Sequence, residues 1–231
     1  MTQNETLTRA PLRTPKAAAI AGIVFSVLLI IIFWLLWIST PRDPQEPGSW
    51  LRDSSKTVAL ALNLVPFAGI AFLWFIGVLR DRLGQAEDRF FATVFFGSGL
   101  LYLAMLFSAA ALIGAIIIAF YARPEELVGS TTFHFARAAI FNIVNIYMTK
   151  MASVFMVTTS TLAIYTEISP RWLVFLGYGM ALVLLFGSYY ISWSFIIFPL
   201  WVLMTSIYIL VDNIWRRSPE RDAKSHSLEA L

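Results

Sequence analysis

The sequence predicts an all-α protein that crosses a membrane six times, and three observations lead to this fold class. Hydrophobic residues make up 58% of the 231 residues, and charged residues make up only 13%. The mean hydropathy is +0.73, and the surface of a soluble domain needs far more charge, about 25% of its residues. Apolar runs of about 20 residues, enough to span a bilayer as helices, recur along the whole chain.

Six apolar runs are separated by segments that are rich in charge, proline and glycine, and these runs are the predicted spans. They lie at roughly 17–39, 57–79, 90–122, 138–165, 171–190 and 194–214. The first run is too long for the apolar core of a cleavable signal peptide, so we expect it to remain as a span. The domain organisation is then an N-terminal segment (1–16), a six-helix transmembrane domain (17–214) and a charged tail (215–231) predicted to be disordered.

The third run and the last hairpin have features that a simple bundle does not require. At 1.5 Å per residue, the run at 90–122 forms a helix about 50 Å long, whereas the hydrocarbon layer is about 30 Å thick. We therefore expect this helix to tilt, to bend or to extend beyond the lipid. Residues 187–194 join the last two runs without any charge, and their Tyr189, Tyr190 and Trp193 are typical of an interfacial aromatic belt.

Small residues repeat every four positions in three of the spans. They are Ala18, Gly22 and Ser26 in the first span, Ala110 and Gly114 in the third, and Gly177 and Ala181 in the fifth. Residues four apart lie on one face of a helix, where small side chains let a neighbouring backbone approach closely. These faces are predicted to be packing surfaces, with a dimer interface at one of them as the alternative.

Lysine and arginine are unevenly divided between the two sides of a six-span topology. The side with both termini carries eleven of them, namely Arg9, Arg13, Lys16, Arg80, Arg82, Arg89, Arg171, Arg216, Arg217, Arg221 and Lys224. The other side carries five, namely Arg42, Arg52, Lys56, Arg123 and Arg137. Because cytoplasmic loops are enriched in these residues, both termini are predicted to be cytoplasmic.

Lys150 is the one charged residue deep inside a predicted span, and that span contains no acidic residue. Counted at 1.5 Å per residue, it lies about 18 Å from the nearer end of the span, and its side chain reaches only about 6 Å. A lysine at the centre of a span costs about 2.5–3.5 kcal/mol. We therefore expect that the interior of the bundle accommodates the ammonium group, or that the amine is neutral.

Polar residues share the face of Lys150 or its depth. At about 100° per residue, Asn142 and Asn145 lie on one broad polar face with Lys150. Counting along the other spans places Tyr102 and Thr205 near the midplane. The sequence thus predicts a polar ligand-binding pocket made of these five residues. The alternative is a structural or assembly role, in which carbonyl groups, a tyrosine or an acid of a partner subunit satisfies the lysine.

The remaining patterns narrow the function classes. The chain has no cysteine, no Gly-rich phosphate loop, and no HExxH or GxSxG motif, so we predict no catalytic residue, no cofactor, no metal site and no enzymatic activity. The basic residues are scattered at helix ends and form no stripe, which argues against nucleic-acid binding. A small transporter or channel-like protein for an anion or amphiphile is favoured, and a non-catalytic accessory or scaffold subunit is the alternative. The expected partners are the lipid bilayer and a second copy or another membrane protein.

Two segments carry a resemblance to known sequences. In MVTTSTLAIYTEISPRWLVFLGYGMALVLL (156–185), a Ser/Thr-rich helix end leads through a short turn into a Pro-Arg-Trp-Leu helix start. This pattern, together with FPLWVLMTSIYIL (198–210), resembles uncharacterised multi-pass integral membrane proteins of bacteria, particularly actinobacteria. The resemblance implies a location in the bacterial plasma membrane, and it implies no activity.

Overall fold

The structure is a computed structural model that describes residues 14–41, 46, 48, 50–83, 89–165, 170–188, 190, 191 and 193–212. Every regular element among these residues is helical, which confirms the all-α prediction. The predicted tail (215–231) and most of the N-terminal segment (1–16) lie outside the described residues.

The described chain forms seven helices. The first four are α1 (Thr14–Ser39), α2 (Trp50–Leu83), α3 (Arg89–Ala122) and the single turn α4 (Pro124–Leu127). The others are α5 (Thr131–Tyr165), α6 (Arg171–Gly187) and α7 (Ser194–Asp212). By length and composition, α1, α2, α3, α5 and α7 are long and apolar enough to cross a membrane, and α6 is a shorter apolar helix.

Two helices begin earlier than the sequence predicts. α2 begins at Trp50 rather than near residue 57, and α5 begins at Thr131 rather than near residue 138. The segment between the predicted spans 90–122 and 138–165 is therefore not a simple loop, since Pro124–Leu127 and the residues from Thr131 onwards are helical. The first turns of both helices contain polar residues, so the apolar runs stop short of the true helix starts.

Apart from the main core in the middle of the bundle, a second apolar cluster packs against these added turns and stabilises them. It contains Leu51, Val58, Ile116, Ile117, Phe120, Leu127 and Phe133. Ser130 caps α5, because its Oγ accepts a hydrogen bond of 3.2 Å from the backbone N–H of Phe133. Burial of apolar side chains and this cap together stabilise helical turns that a hydropathy pattern does not reveal.

Arg137 fastens the connection between α1 and α2 to the start of α5. Its guanidinium donates hydrogen bonds to the carbonyl oxygens of Glu46 (2.9 Å) and Pro41 (3.3 Å), and it lies 3.9 Å from the Glu46 carboxylate. The same group lies over the ring of Phe133. Gly48 has φ +106° and packs against this ring, where a Cβ atom would be only 2.8 Å from a ring carbon. We call these five residues the Arg137 clasp.

Aromatic rings from five helices fill the middle of the bundle. The ring centroid of Phe72 (α2) lies 4.5 Å from Phe25 (α1), 5.7 Å from Tyr102 (α3), 5.4 Å from Phe155 (α5) and 5.7 Å from Phe198 (α7). We call these residues the central aromatic cluster. Its rings are buried and in mutual contact, so the bundle is closed at this level.

Contacts between α2 and α3 define the level of each residue along the bundle. Ser55 Oγ and Tyr121 OH lie 2.9 Å apart near one end, and Ile76 packs against Gly99 near the other. The two helices are therefore antiparallel, and a residue one position later on α2 lies level with a residue one position earlier on α3.

Two exposed charged residues of α2 mark the ends of the apolar part of the bundle. We call the level of Lys56 the upper end and the level of Arg80 the lower end. At 1.5 Å per residue, these levels are about 36 Å apart along the helix, slightly more than the hydrocarbon thickness of about 30 Å.

Two predicted small-residue positions are sites of close helix packing. A Cβ atom at Gly22 would overlap Ser206 Oγ, so α7 lies directly against α1 there. A Cβ atom at Gly177 would overlap Ser160 Oγ and would lie 2.9 Å from Trp201 Nε1. The packing role predicted for Gly22 and Gly177 is confirmed, and α7 fits between α1 and α6 because both helices lack a side chain at these points.

Gly177→Ala is expected to lower the melting temperature of the purified protein, because the new methyl group must displace a serine and an indole. Overpacking of this kind costs about 1–3 kcal/mol. Gly179→Ala on the same helix is the matched control, since nothing lies within 4 Å of its Cβ position. Thermal unfolding in detergent measures both variants, and equal melting temperatures would contradict the close packing at Gly177.

Candidate functional site

Lys150 lies on α5 and points at the end of α6. Its Nζ lies 3.5 Å from the carbonyl oxygen of Leu184 and 3.3 Å from Oγ of Ser188, and it also contacts the carbonyl oxygen of Leu185. The side chain is half-buried. The ammonium group is therefore a donor at the carboxyl end of α6, where the chain turns towards α7.

Three irregular turns meet around this lysine. They are the π-helical turn Ile143–Met148 within α5, the π-helical turn Val183–Gly187 at the end of α6, and the 3₁₀ turn Ser194–Ile196 at the start of α7. The first and second of them both contact the third. Irregular turns inside helices leave backbone groups without regular partners and are frequent at functional sites.

The contacts of Lys150 are those expected of a cation at the carboxyl end of a helix. The last carbonyl groups of a helix have no partner within the helix, and the carboxyl end carries a partial negative charge. A lysine ammonium supplies donors and the opposite charge, and basic side chains near helix ends commonly bond these carbonyl groups. Lys150 fulfils this role from a neighbouring helix.

The described groups around Lys150 supply no negative charge. The salt bridges in the described part of the chain join Arg123 to Glu126 (3.0 Å) and Arg137 to Glu46 (3.9 Å). Carbonyl and hydroxyl oxygens accept hydrogen bonds from Lys150. None of the described contacts of its Nζ is with a carboxylate.

Lys150 lies well inside the bundle. Gly99 packs against both Ile76 of α2 and Phe155 of α5, so these residues share one level. Lys150 is five residues above Phe155 along α5, which places it level with Ala71 of α2. At 1.5 Å per residue, this level is about 13 Å above the lower end and about 22 Å below the upper end.

The hairpin between α6 and α7 stops well below the upper end. The ring centroids of Phe33 and Phe195 lie 4.8 Å apart, so the start of α7 is level with Phe33. The contact between Phe25 and Phe72 gives the register of α1 and α2, and extending it places Phe33 beside Leu64. This level is about 12 Å below the upper end at 1.5 Å per residue, whereas α2, α3 and α5 continue upwards.

The polar face of α5 is largely satisfied by its own backbone. Asn145 is buried, and its Nδ2 donates to the carbonyl oxygen of Phe141 at 3.0 Å. Thr149 Oγ1 donates to the carbonyl oxygen of Asn145 at 2.7 Å, and Ser153 Oγ donates to that of Lys150 at 2.7 Å. These local bonds account for much of the polarity that the sequence assigns to a pocket.

The other predicted pocket residues have different surroundings. Asn142 is exposed. Tyr102 is 1% exposed within the central aromatic cluster, and Thr205 is buried on α7. The hydroxyl groups of Tyr102 and Thr205 have no hydrogen-bond partner in the described chain. No described hydrogen bond links any of the four to Lys150, so the pocket as predicted stays a prediction.

Sequence reasoning missed the groups that contact Lys150. The carbonyl oxygens of Leu184 and Leu185 become available through a π-helical turn, which has no residue signature. Ser188 lies in the uncharged hairpin, where Gly187 and Ser188 together could have indicated that α6 ends before residue 190.

In the described part of the chain, no three His, Cys, Asp or Glu residues lie close enough to hold a metal ion. Comparisons with protein-family models, with curated proteins and with solved structures find no match.

Tyr102→Phe is expected to leave the melting temperature unchanged or to raise it, because it removes a buried hydroxyl group without a partner. Tyr178→Phe is the matched comparison, since Tyr178 OH lies 2.8 Å from Thr161 Oγ1. Loss of that hydrogen bond costs about 0.5–1.5 kcal/mol. Thermal unfolding in detergent distinguishes the two; a clear loss of stability in Tyr102→Phe would indicate that a bound molecule uses the Tyr102 hydroxyl.

Proposed function

We propose that the chain is a six-span protein of the bacterial plasma membrane, with its termini in the cytoplasm and its upper end outside. Large apolar side chains face outwards over the described surface, for example Trp74, Ile118 and Phe175, and lipid would cover them. The uneven division of lysine and arginine supports the orientation. α6 and α7 serve as the fifth and sixth spans.

Within this arrangement, the protein is a small, non-enzymatic transporter or channel-like protein that binds an anion or anionic amphiphile at Lys150. The observation that supports this function is the half-buried ammonium group whose described contacts are all neutral. A lysine at the centre of a span costs about 2.5–3.5 kcal/mol, and a bound anion offsets this cost. Ser188 beside the ammonium group adds a hydroxyl donor.

The central aromatic cluster determines which way such a ligand leaves. Its rings lie at and just below the level of Lys150, because Phe72 follows Ala71 on α2. In this conformation a ligand at Lys150 exchanges with the outer side. Passage to the lower end requires the helices to move until Phe72, Tyr102 and Phe198 separate.

An accessory or scaffold subunit is the second candidate, and the hairpin supports it. Tyr190 and Trp193 are exposed at the α6–α7 connection, where a helix of a partner protein or a second copy could cover them. Lys150 then acts only as the cap of α6. The two candidates differ in whether removal of the ammonium group affects ligand binding or assembly.

Dodecanoate in neutral detergent is expected to raise the melting temperature of the wild-type protein and of Lys150→Arg, but not that of Lys150→Met. A ligand at 100 times its Kd stabilises the folded state by about 2.7 kcal/mol, which shifts a domain of this size by several degrees. Without ligand, Lys150→Met is expected to have a melting temperature close to that of the wild type, because removal of a costly charge from the span offsets the loss of the hydrogen bonds to α6.

Dodecanol is the neutral matched ligand, and Lys56→Met is the control for loss of an exposed lysine. Equal shifts with dodecanol and dodecanoate would rule out recognition of the negative charge. A Lys150→Met variant that unfolds or loses its partners, together with a wild type that ignores dodecanoate, would favour the scaffold candidate instead.

A further inference from the structure

We infer that the turn between α6 and α7 lies below the outer edge of the hydrocarbon layer and forms the floor of a water-filled depression that opens at the upper end of the bundle. The inference rests on the membrane arrangement proposed above, but it does not depend on anion binding. It adds an access route from one side and an aqueous site that apolar composition alone would not suggest.

The depth of the hairpin is the first observation. The contact between Phe33 and Phe195 places the start of α7 level with Leu64. This level is about 12 Å below Lys56 at 1.5 Å per residue. α6 is accordingly too short to reach the level at which the other spans leave the apolar region.

The second observation is that the bundle surface above the hairpin level is apolar. Ile118 is 72% exposed and Leu60 is 54% exposed. The register set by Ser55 and Tyr121 places both residues above Leu64, between the hairpin and the upper end. The hydrocarbon layer therefore extends past the hairpin on the α2–α3 side of the bundle.

The third observation is that two described residues of the hairpin, Tyr190 and Trp193, are exposed and lie outside the helices. Tyr190 is 84% exposed in a turn, and Trp193 is also exposed. Lipid cannot satisfy backbone groups, so non-helical backbone at membrane depth must be covered by protein or by water. The backbone N–H groups of Tyr190 and Ile191 bond to Gly187 within the hairpin. Since Tyr190 and Trp193 are exposed rather than buried in protein, we expect water from the upper end to reach the outer side of the turn.

The positions of Lys150 and of the upper part of α5 are consistent with contact with water, Lys150 at the bottom of the depression and α5 along its side. The ammonium group is half-buried at the hairpin, and water at that point solvates its charge without any acidic partner. Above it, Asn142 and Tyr147 are exposed on α5 and offer an amide and a hydroxyl group to water. The central aromatic cluster closes the depression below.

The test compares two exposed residues, Tyr190 and Ile118. Tyr190 lies deeper in the bundle but is expected to be reached by water, whereas Ile118 lies nearer to the upper end but is expected to be covered by lipid. The chain has no cysteine, so Tyr190→Cys, Ile118→Cys and Lys56→Cys each carry a single thiol. Intact cells are treated with a membrane-impermeant maleimide, and labelling after denaturation gives the total amount of each variant.

We expect Tyr190→Cys to label within about tenfold of the rate of Lys56→Cys, because water reaches both thiols. Ile118→Cys is expected to label at least a hundredfold more slowly, although it lies nearer to the surface, because lipid surrounds it. A deeper residue that reacts faster than a shallower one is the signature of an aqueous depression.

Three results would overturn this inference or the arrangement beneath it. Fast labelling of Ile118→Cys would place the hairpin at the membrane surface, without a depression. If Tyr190→Cys is not labelled while Lys56→Cys is labelled, lipid or a partner protein covers the hairpin. A silent Lys56→Cys would overturn the proposed orientation alone, and the same comparison on inverted vesicles would then decide whether the depression exists.

Discussion

The need to pair every backbone polar group within an apolar surrounding governs this structure. Long helices satisfy it internally, and the bundle is built almost wholly of them. One departure among the described residues is the carboxyl end of α6, where the chain reverses between helices that continue upwards. There the ammonium group of Lys150 supplies donors to carbonyl oxygens that α6 cannot pair itself. A lysine that is costly to place in an apolar surrounding therefore lies beside carbonyl oxygens at a helix end that would be costly to leave there without a hydrogen bond.

The interior is organised around a few points of contact rather than a uniform apolar seam. Phe72 touches rings from four other helices, while Gly22 and Gly177 let α7 approach α1 and α6. Closely approaching helices and aromatic rings in mutual contact therefore fill the lower half of the bundle. The upper half is stabilised by other contacts. There the second apolar cluster and the Arg137 clasp join the helices, and the described residues of α6 and α7 take no part.

Local patterns in the sequence predicted the helices, and they could not predict the contacts at Lys150. Apolar runs identify spans because hydropathy is a property of each segment alone, and Lys150 stands out because nothing near it in sequence balances its charge. Its acceptors are backbone atoms 34 and 35 residues away, and they depend on a π-helical turn that any residue can form. Counting depth predicted that Tyr102 and Thr205 lie near the midplane, and both side chains are buried, but depth does not specify which side chains face each other. The starts of α2 and α5 were placed too late because tertiary packing of Leu51 and Phe133 extends both helices.

The separation between Lys150 and its acceptors has a consequence for biosynthesis. α5 leaves the ribosome before α6 exists, and it has the lowest hydropathy of the five long apolar helices. A lone helix with a central lysine partitions poorly into lipid. We therefore expect α5 to enter the bilayer less readily alone than together with the following hairpin, whose carbonyl oxygens accept hydrogen bonds from Lys150.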